Sequence, residues 1–234
     1  SAENLAEDRD PEDTNVYVGD IIRYTVKFTN QDEPWTTWYG VTIEDILPEG
    51  LAPIAGSIKL VYPDGTEIEC ADDVYSAEEG NMAVYIGDVK GGDSVLLIFD
   101  VEVTEEAANS DIGNVAFAYG RNPSDVDNSV IDGTADGLPD RGHRYNPPEG
   151  WDEFREVNAA NRSTSNTAYP IGYDPAVNRV VSAEDPSNPN FNGSNGGNTS
   201  NGDDTNAALH ALPKTGGEGD LAATGDNTLA FAFP

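Results

Sequence analysis

Apolar and polar residues alternate with a period of two through the first half of the chain. From Gly19 to Asn30 the apolar Ile22, Tyr24, Val26 and Phe28 interleave with Arg23, Thr25, Lys27 and Thr29, which predicts a strand with one face buried. Segments rich in β-branched and aromatic residues predict further strands over 41–46, 57–62, 66–70, 82–86, 94–103 and 114–119. Turn residues such as Pro63-Asp64-Gly65 and Gly91-Gly92-Asp93 separate them. Short strands spaced by roughly 8–12 residues, with no long helical pattern, predict an all-β fold, a β-sandwich of immunoglobulin-like type.

The pattern changes twice. Residues 121–162 form a long insertion before the last strand of the sandwich, and connections of that length are uncommon unless they carry a role. Inside it, Pro147-Pro148-Glu149-Gly150 precedes Trp151, Phe154 and Val157, apolar at every third position, which predicts one short helix lying on the sandwich. After residue 182 the apolar content falls away. Residues 183–211 are mostly Asn, Gly, Ser, Asp, Thr and Pro, a composition that cannot offset the entropy of ordering and predicts a flexible spacer. The expected organisation is therefore an acidic lead-in at 1–14, one sandwich domain at 15–182, the spacer, and a distinct region at 212–234.

Charge narrows the class of partner. Against 43 acidic residues stand only 12 basic ones, a formal charge of -31. That field repels phosphate backbones and anionic lipid, which argues against nucleic-acid binding and suits a solvated, cation-rich extracellular setting. Cys70 is the single cysteine, so no intramolecular disulfide and no thiolate metal site is available. The start has no basic-then-apolar leader pattern, and no run of about eighteen apolar residues follows. Both ends are expected to be trimmed, because the chain turns apolar only at Leu229.

The last region holds the most specific motif. Leu212, Pro213, Lys214, Thr215 and Gly216 form LPKTG, and four fixed positions should match by chance in such a chain less than about 1% of the time. The motif resembles the sorting signal of sortase-anchored surface proteins of Gram-positive bacteria. That resemblance implies cleavage between Thr215 and Gly216 by a transpeptidase thiol, attachment to cell-wall peptidoglycan, and a substrate rather than an enzyme. Twelve residues separate LPKTG from the apolar onset, however, and Leu221, Ala222, Ala223, Thr224 and Gly225 sit closer to it. This LAATG resembles the LAxTG signal of some actinobacterial sortases, so the cut falls after Thr215 or after Thr224. The runs VGDIIRYTVKFTN, GVTIEDILPEGL, YIGDVKGGDSVLLIFDVEV and IGNVAFAYG, with SNTAYP at 165–170 as closing strand, resemble the conserved repeat domain of bacterial surface and fimbrial proteins. That family implies an immunoglobulin-like stalk or adhesin unit, some relatives carrying Lys-to-Asn isopeptide bonds. One copy is present.

Three groups could carry chemistry or binding. Asp132, Thr134, Asp136, the Leu138 carbonyl and Asp140 space oxygen donors around a glycine turn, as in calcium loops, although Thr134 replaces a carboxylate and no glutamate stands at the twelfth position. The alternative is an acidic, turn-rich loop. Lys27, Asn114 and Asp45, with Glu44 as another acid, are candidates for an isopeptide bond, but alternation places Lys27 on the polar side of its strand; otherwise Lys27 is solvated and Asn114 bonds local backbone. Trp35, Trp38 and Tyr39 either stack on a sugar or partner protein, or cap one end of the sandwich. With only His143 and His210 as histidines, a histidine-based catalytic centre has little to draw on. The expectation is a non-catalytic, cell-wall-anchored stalk or adhesin module, with sortase and peptidoglycan as partners, a host protein or glycan as candidate ligand, and calcium the one candidate cofactor. The alternatives are a glycan-binding accessory module of a secreted enzyme, or a pilin subunit.

Overall fold

Side-chain alternation sets the layers. The computed structural model describes residues 1–6, 10, 12–121, 138–190 and 229–232, with the backbone alone at 161 and 229–232. Ser1–Phe191 and Asn227–Pro234 make one unit, and the other, Asn192–Asp226, lies outside the described residues. One sheet runs β1 (Ala2–Asn4), β3 (Ile21–Thr29), β10 (Ser94–Val103), β6 (Lys59–Val61) and β7 (Glu67–Glu69), with β5 (Leu51–Pro53) on β10 and β14 (Leu229–Ala232) on β3. The second runs β12 (Arg162–Thr164), β11 (Ala116–Arg121), β4 (Thr37–Asp45), β9 (Asn81–Lys90) and β8 (Tyr75–Ser76). Apart from these, β2 (Val16–Tyr17) pairs in parallel with β13 (Val180–Val181).

The core lies between the two sheets. Tyr24, Val26 and Phe28 of β3 and Leu97, Phe99 and Val101 of β10 are fully buried against Val41, Ile43, Val84, Ile86, Ala116 and Ala118 of the other sheet. Each large apolar side chain so buried contributes about 1.5–3 kcal/mol. Tyr24 and Phe99 are also cross-strand partners, stacked with ring centroids 5.5 Å apart. The fold is a mostly antiparallel, immunoglobulin-like β-sandwich.

Two irregularities keep long strands in phase with that core. The β4–β9 register shifts between Trp38 and Val41 and again next to it, where Gly40 and Gly87 have φ of 60° and 79°. An extra residue in a strand reverses its alternation. Trp38 and Val41 therefore both face the core, as do Ile86 and Val89.

The outer face of the second sheet is covered too. Helix α1 (Trp151–Val157) buries Trp151 and Phe154, and with Tyr145 these pack on Ala83, Tyr85 and Tyr119 to form a second apolar cluster. Phe154 meets Tyr119 edge-on at 4.8 Å. The predicted helix is there, but its stripe stops at two residues: Val157, at the last helical position, is 51% exposed.

Other expectations are corrected at the boundaries. The expected lead-in contains β1, whose short AEN segment carries no alternation long enough to read. The expected closing strand at 165–170 is not continuous; Ala168 bridges Asn114, and Pro170, which lacks an N–H, bridges Ala2. Residues 183–190, assigned to the spacer by composition, are tied to the domain. Asn188 is buried and its amide donates to the Val18 and Ser182 carbonyls at 3.2 and 3.1 Å, while Asn190 donates to Asp20 at 3.1 Å. Polar composition hid this segment because its ordering comes from amide hydrogen bonds rather than apolar burial.

Candidate functional site

Three turns meet at one end of the sandwich. The Asn30 N–H donates to the Asp93 carbonyl at 3.0 Å, Gly92 N–H to Asn30 at 2.8 Å, and Gly91 N–H to Thr36 at 3.1 Å. These bonds lock the β3–β4 loop against the β9–β10 turn. Gly91 is required there, since a Cβ would lie 2.0 Å from the Glu33 carbonyl oxygen. Beside this turn, and beside the β6–β7 turn, a cleft of about 300 Å³ is lined by Tyr62, Asp64, Asp88, Lys90, Asp93 and Arg141.

Arg141 gives the cleft its shape. Its guanidinium carbon lies 5.1 Å from the centre of the Tyr62 ring, an attraction between cation and ring face worth about 0.5–1 kcal/mol when exposed. The side chain passes over Gly87, where a Cβ would come within 2.6 Å of its Nε. Tyr62 in turn donates its hydroxyl to the Ile86 carbonyl at 2.9 Å, and burial pushes its pKa up to about 12 against the opposing charge of Arg141. Carboxylates, a stacked guanidinium and an ammonium around an apolar floor are binding groups; neither histidine nor cysteine lines the cleft. The sequence marked this site only weakly, because Tyr62 reads as the end of a strand and Arg141 belongs to the insertion. The one local signal was Gly87, isolated in a strand pattern.

The three candidate aromatics differ in exposure. Trp35 is 80% exposed on the β3–β4 loop. Trp38 is buried in the core and donates its indole N–H to Asp32 at 2.9 Å, so it caps the sandwich. Tyr39 is half-buried on the outer face, with Arg121 5.4 Å from its ring centre.

The candidate isopeptide residues are divided between two places. Asn114 donates to Asp45 Oδ2 at 2.9 Å, both side chains being fully buried. Lys27 stays on the outward side of β3, while its neighbours Val26 and Phe28 enter the core. The triad is therefore not assembled, for the reason alternation predicts. On the core face of β3 it is Tyr24 whose pKa is driven far up, first by burial and then by the Asp45 charge. Asp45 itself is pushed up to about 7, mainly by desolvation, with the Asn114 hydrogen bond opposing and the Glu44 charge adding.

Glu44, next in the chain, points the other way. Fully buried under the insertion, it accepts from Arg155 Nη2 at 2.6 Å, Asn81 Nδ2 at 2.7 Å and Tyr119 Oη at 3.0 Å. Those donors make it the anchor of α1. Cys70 is buried near the insertion, and desolvation pushes its thiol up to about 12.

Of the calcium candidates, Asp132, Thr134 and Asp136 lie outside the described residues. Leu138 packs against the outer apolar cluster, and Asp140 is exposed, its carbonyl accepting from His143 N–H at 3.1 Å. Among the described residues, no three His, Cys, Asp or Glu side chains are placed to hold a metal. Both sorting motifs, Leu212–Gly216 and Leu221–Gly225, also lie outside the described residues. No helix among the described residues is long and apolar enough to cross a membrane.

No protein-family model and no curated protein sequence matches the chain. Solved structures similar to it include the Corynebacterium diphtheriae major pilin SpaA, at 21% identity and a TM-score of 0.39 over 70% of this chain and 38% of that one. The group B streptococcus pilus 2b backbone protein is similar at 15% identity and 0.34, over 53% of each chain. The collagen-binding domain of a Staphylococcus aureus adhesin is similar at 11% and 0.35, over 53% of this chain and 85% of that one. The chain thus spans about half or less of the two pilins, and the likeness is distant.

Proposed function

We propose that the chain is a non-catalytic module of an extracellular surface protein, joined to the cell envelope by a sortase-type transpeptidase. The observation that carries this reading is LPKTG at 212–216, set behind a polar spacer and downstream of a β-sandwich. The enzyme's thiolate attacks the Thr215 carbonyl, the Thr215–Gly216 bond breaks, and Gly216 leaves as a free amine. An envelope amine then attacks the thioester and releases the thiol. LAATG offers Thr224 for the same chemistry. The test is incubation with a sortase and a glycine-based amine, followed by mass spectrometry: a new bond at Thr215 or Thr224 is expected, and Thr215→Ala and Thr224→Ala identify which. An intact mass unchanged with sortases of both specificities overturns the reading.

Exposure of Trp35 beside the turn that rims the Tyr62–Arg141 cleft favours an adhesive over a purely spacing role. A large exposed aromatic next to carboxylates and a guanidinium is the equipment of a glycan or protein contact. Adhesion predicts that added glycans quench a part of the tryptophan fluorescence that Trp35→Ala abolishes. If the two chains respond identically, the module is a spacer.

A further inference from the structure

Two cations in the Tyr62 cleft are left unclaimed by the protein's many carboxylates. Elsewhere Arg23, Lys59, Arg155 and Arg179 each hold a carboxylate oxygen at between 2.6 and 3.1 Å. Among the described residues, neither the Arg141 guanidinium nor the Lys90 ammonium makes an ion pair or a hydrogen bond, and both line the cleft. Arg141 is nevertheless held in place. Its guanidinium carbon lies 5.1 Å from the centre of the Tyr62 ring and its side chain passes the bare backbone of Gly87. Stacking fixes the group without using its donors, so the planar fork of N–H groups stays open for a carboxylate.

Acceptors share the same walls. Asp88 Oδ1 takes the Gly40 N–H and Asp64 Oδ1 the Thr66 N–H, each at 2.9 Å, which leaves each carboxylate a second oxygen. The Asp93 carboxylate has no hydrogen bond among the described residues. Fixed cations select an anion, and open carboxylate oxygens select hydroxyl donors. We infer that the Tyr62–Arg141 cleft binds a sugar ring that carries a single carboxylate, a uronic or sialic acid. The carboxylate sits on Arg141 and Lys90, and ring hydroxyls donate to Asp64, Asp88 and Asp93. A volume of about 300 Å³ lies at the small end of ligand pockets and suits one pyranose. An acidic peptide fits poorly, because every carboxylate beyond the first meets the aspartates, and a polyanionic chain is repelled by the net charge of -31. A basic ligand is attracted to the whole acidic surface and gains nothing specific from a cleft with two cations. The inference deepens the adhesive reading above and rests on it.

Heteronuclear NMR of the full chain tests it, with methyl glucuronide, methyl sialoside and the neutral methyl glucoside as probes. An acidic sugar is expected to shift the Arg141 Nε–H signal and the amides of Lys90 and Asp93 in a saturable way, and the glucoside to bind at least about ten-fold more weakly. Arg141→Gln should weaken the acidic sugar by at least about ten-fold, and Arg141→Lys, which keeps the charge but not the fork, should fall between. Unchanged amide signals of Val26 and Phe28 report an intact sandwich in both variants. Whichever acidic sugar binds more tightly, the inference holds and the kind of sugar acid is named. No shift with either acidic sugar at millimolar concentration overturns it, as does equal binding of the glucoside, undiminished binding by Arg141→Gln, or tighter binding of an oligo-aspartate peptide. If the acidic sugars fail while another glycan still quenches Trp35, the cleft assignment falls and the adhesive reading stands; if both fail, both fall.

Discussion

Replacing Asp45 by Asn should flatten the pH dependence of stability. Asp45 is fully enclosed, with Oδ2 taken by Asn114 and Oδ1 without a partner; Asn114 Oδ1 is equally unpartnered. Both orphan atoms are acceptors, so a proton on Asp45 supplies the donor the pair lacks, whereas ionisation leaves a buried charge with one hydrogen bond. The displacement from 3.8 to about 7 is equivalent, at about 1.4 kcal/mol per unit, to about 4 kcal/mol. The sign follows from the raised value. In this window the folded state holds a proton that the unfolded state has lost, so the stabilisation is complete below 3.8, declines as pH rises and is gone above about 7. Urea unfolding, read by the buried Trp38 and Trp151, can be run from pH 5 to 8, clear of the isoelectric point near 4.1. Across that span the wild type should lose about 3 kcal/mol relative to Asp45→Asn. Relief of the overall negative charge at low pH affects both proteins and cancels in the difference. A difference constant to within about 1 kcal/mol over the span would refute the argument.

Three further outcomes follow from packing. Arg155→Ala strands the Glu44 carboxylate in the interior and should cost about 3–5 kcal/mol, part of which Glu44→Gln in the same chain restores; a double variant as unstable as the two losses added together contradicts the coupling. Gly50 has φ +82° and a Cβ there would lie 2.1 Å from Ala107 N, whereas Gly56, at φ +75°, has nothing within 4 Å. Gly50→Ala should therefore cost at least about 3 kcal/mol, and Gly56→Ala only about 1–2 kcal/mol for its left-handed backbone, as read by urea midpoints. Trp38→Ala should cost about 3–5 kcal/mol and Trp35→Ala less than about 0.5 kcal/mol; equal thermal shifts would mean that Trp35 is not on the surface.

The alternation of Ile22, Tyr24, Val26 and Phe28 was enough by itself to determine a half-buried strand, its inward residues and the outward place of Lys27. A side chain's face follows from parity alone, with no knowledge of what lies opposite. β10 was legible to its ends for the same reason. Parity failed where glycine bulges reset it: Trp38 and Tyr39 could not be assigned to core and surface until the shift at Gly40 was seen. Length failed for β1 and β14, whose three and four residues pair only because β3 presents an edge. The Tyr62–Arg141 cleft, the Asp45–Asn114 pair and the burial of Glu44 lie further from the sequence still. Each joins residues dozens of positions apart, and the chemistry of a carboxylate depends on what surrounds it. Glu44 and Asp45 are adjacent acids, yet one meets an arginine and the other an amide. The sequence alone predicted a sandwich and offered LPKTG as a candidate sorting signal, whereas only tertiary packing decided which polar groups lost their water.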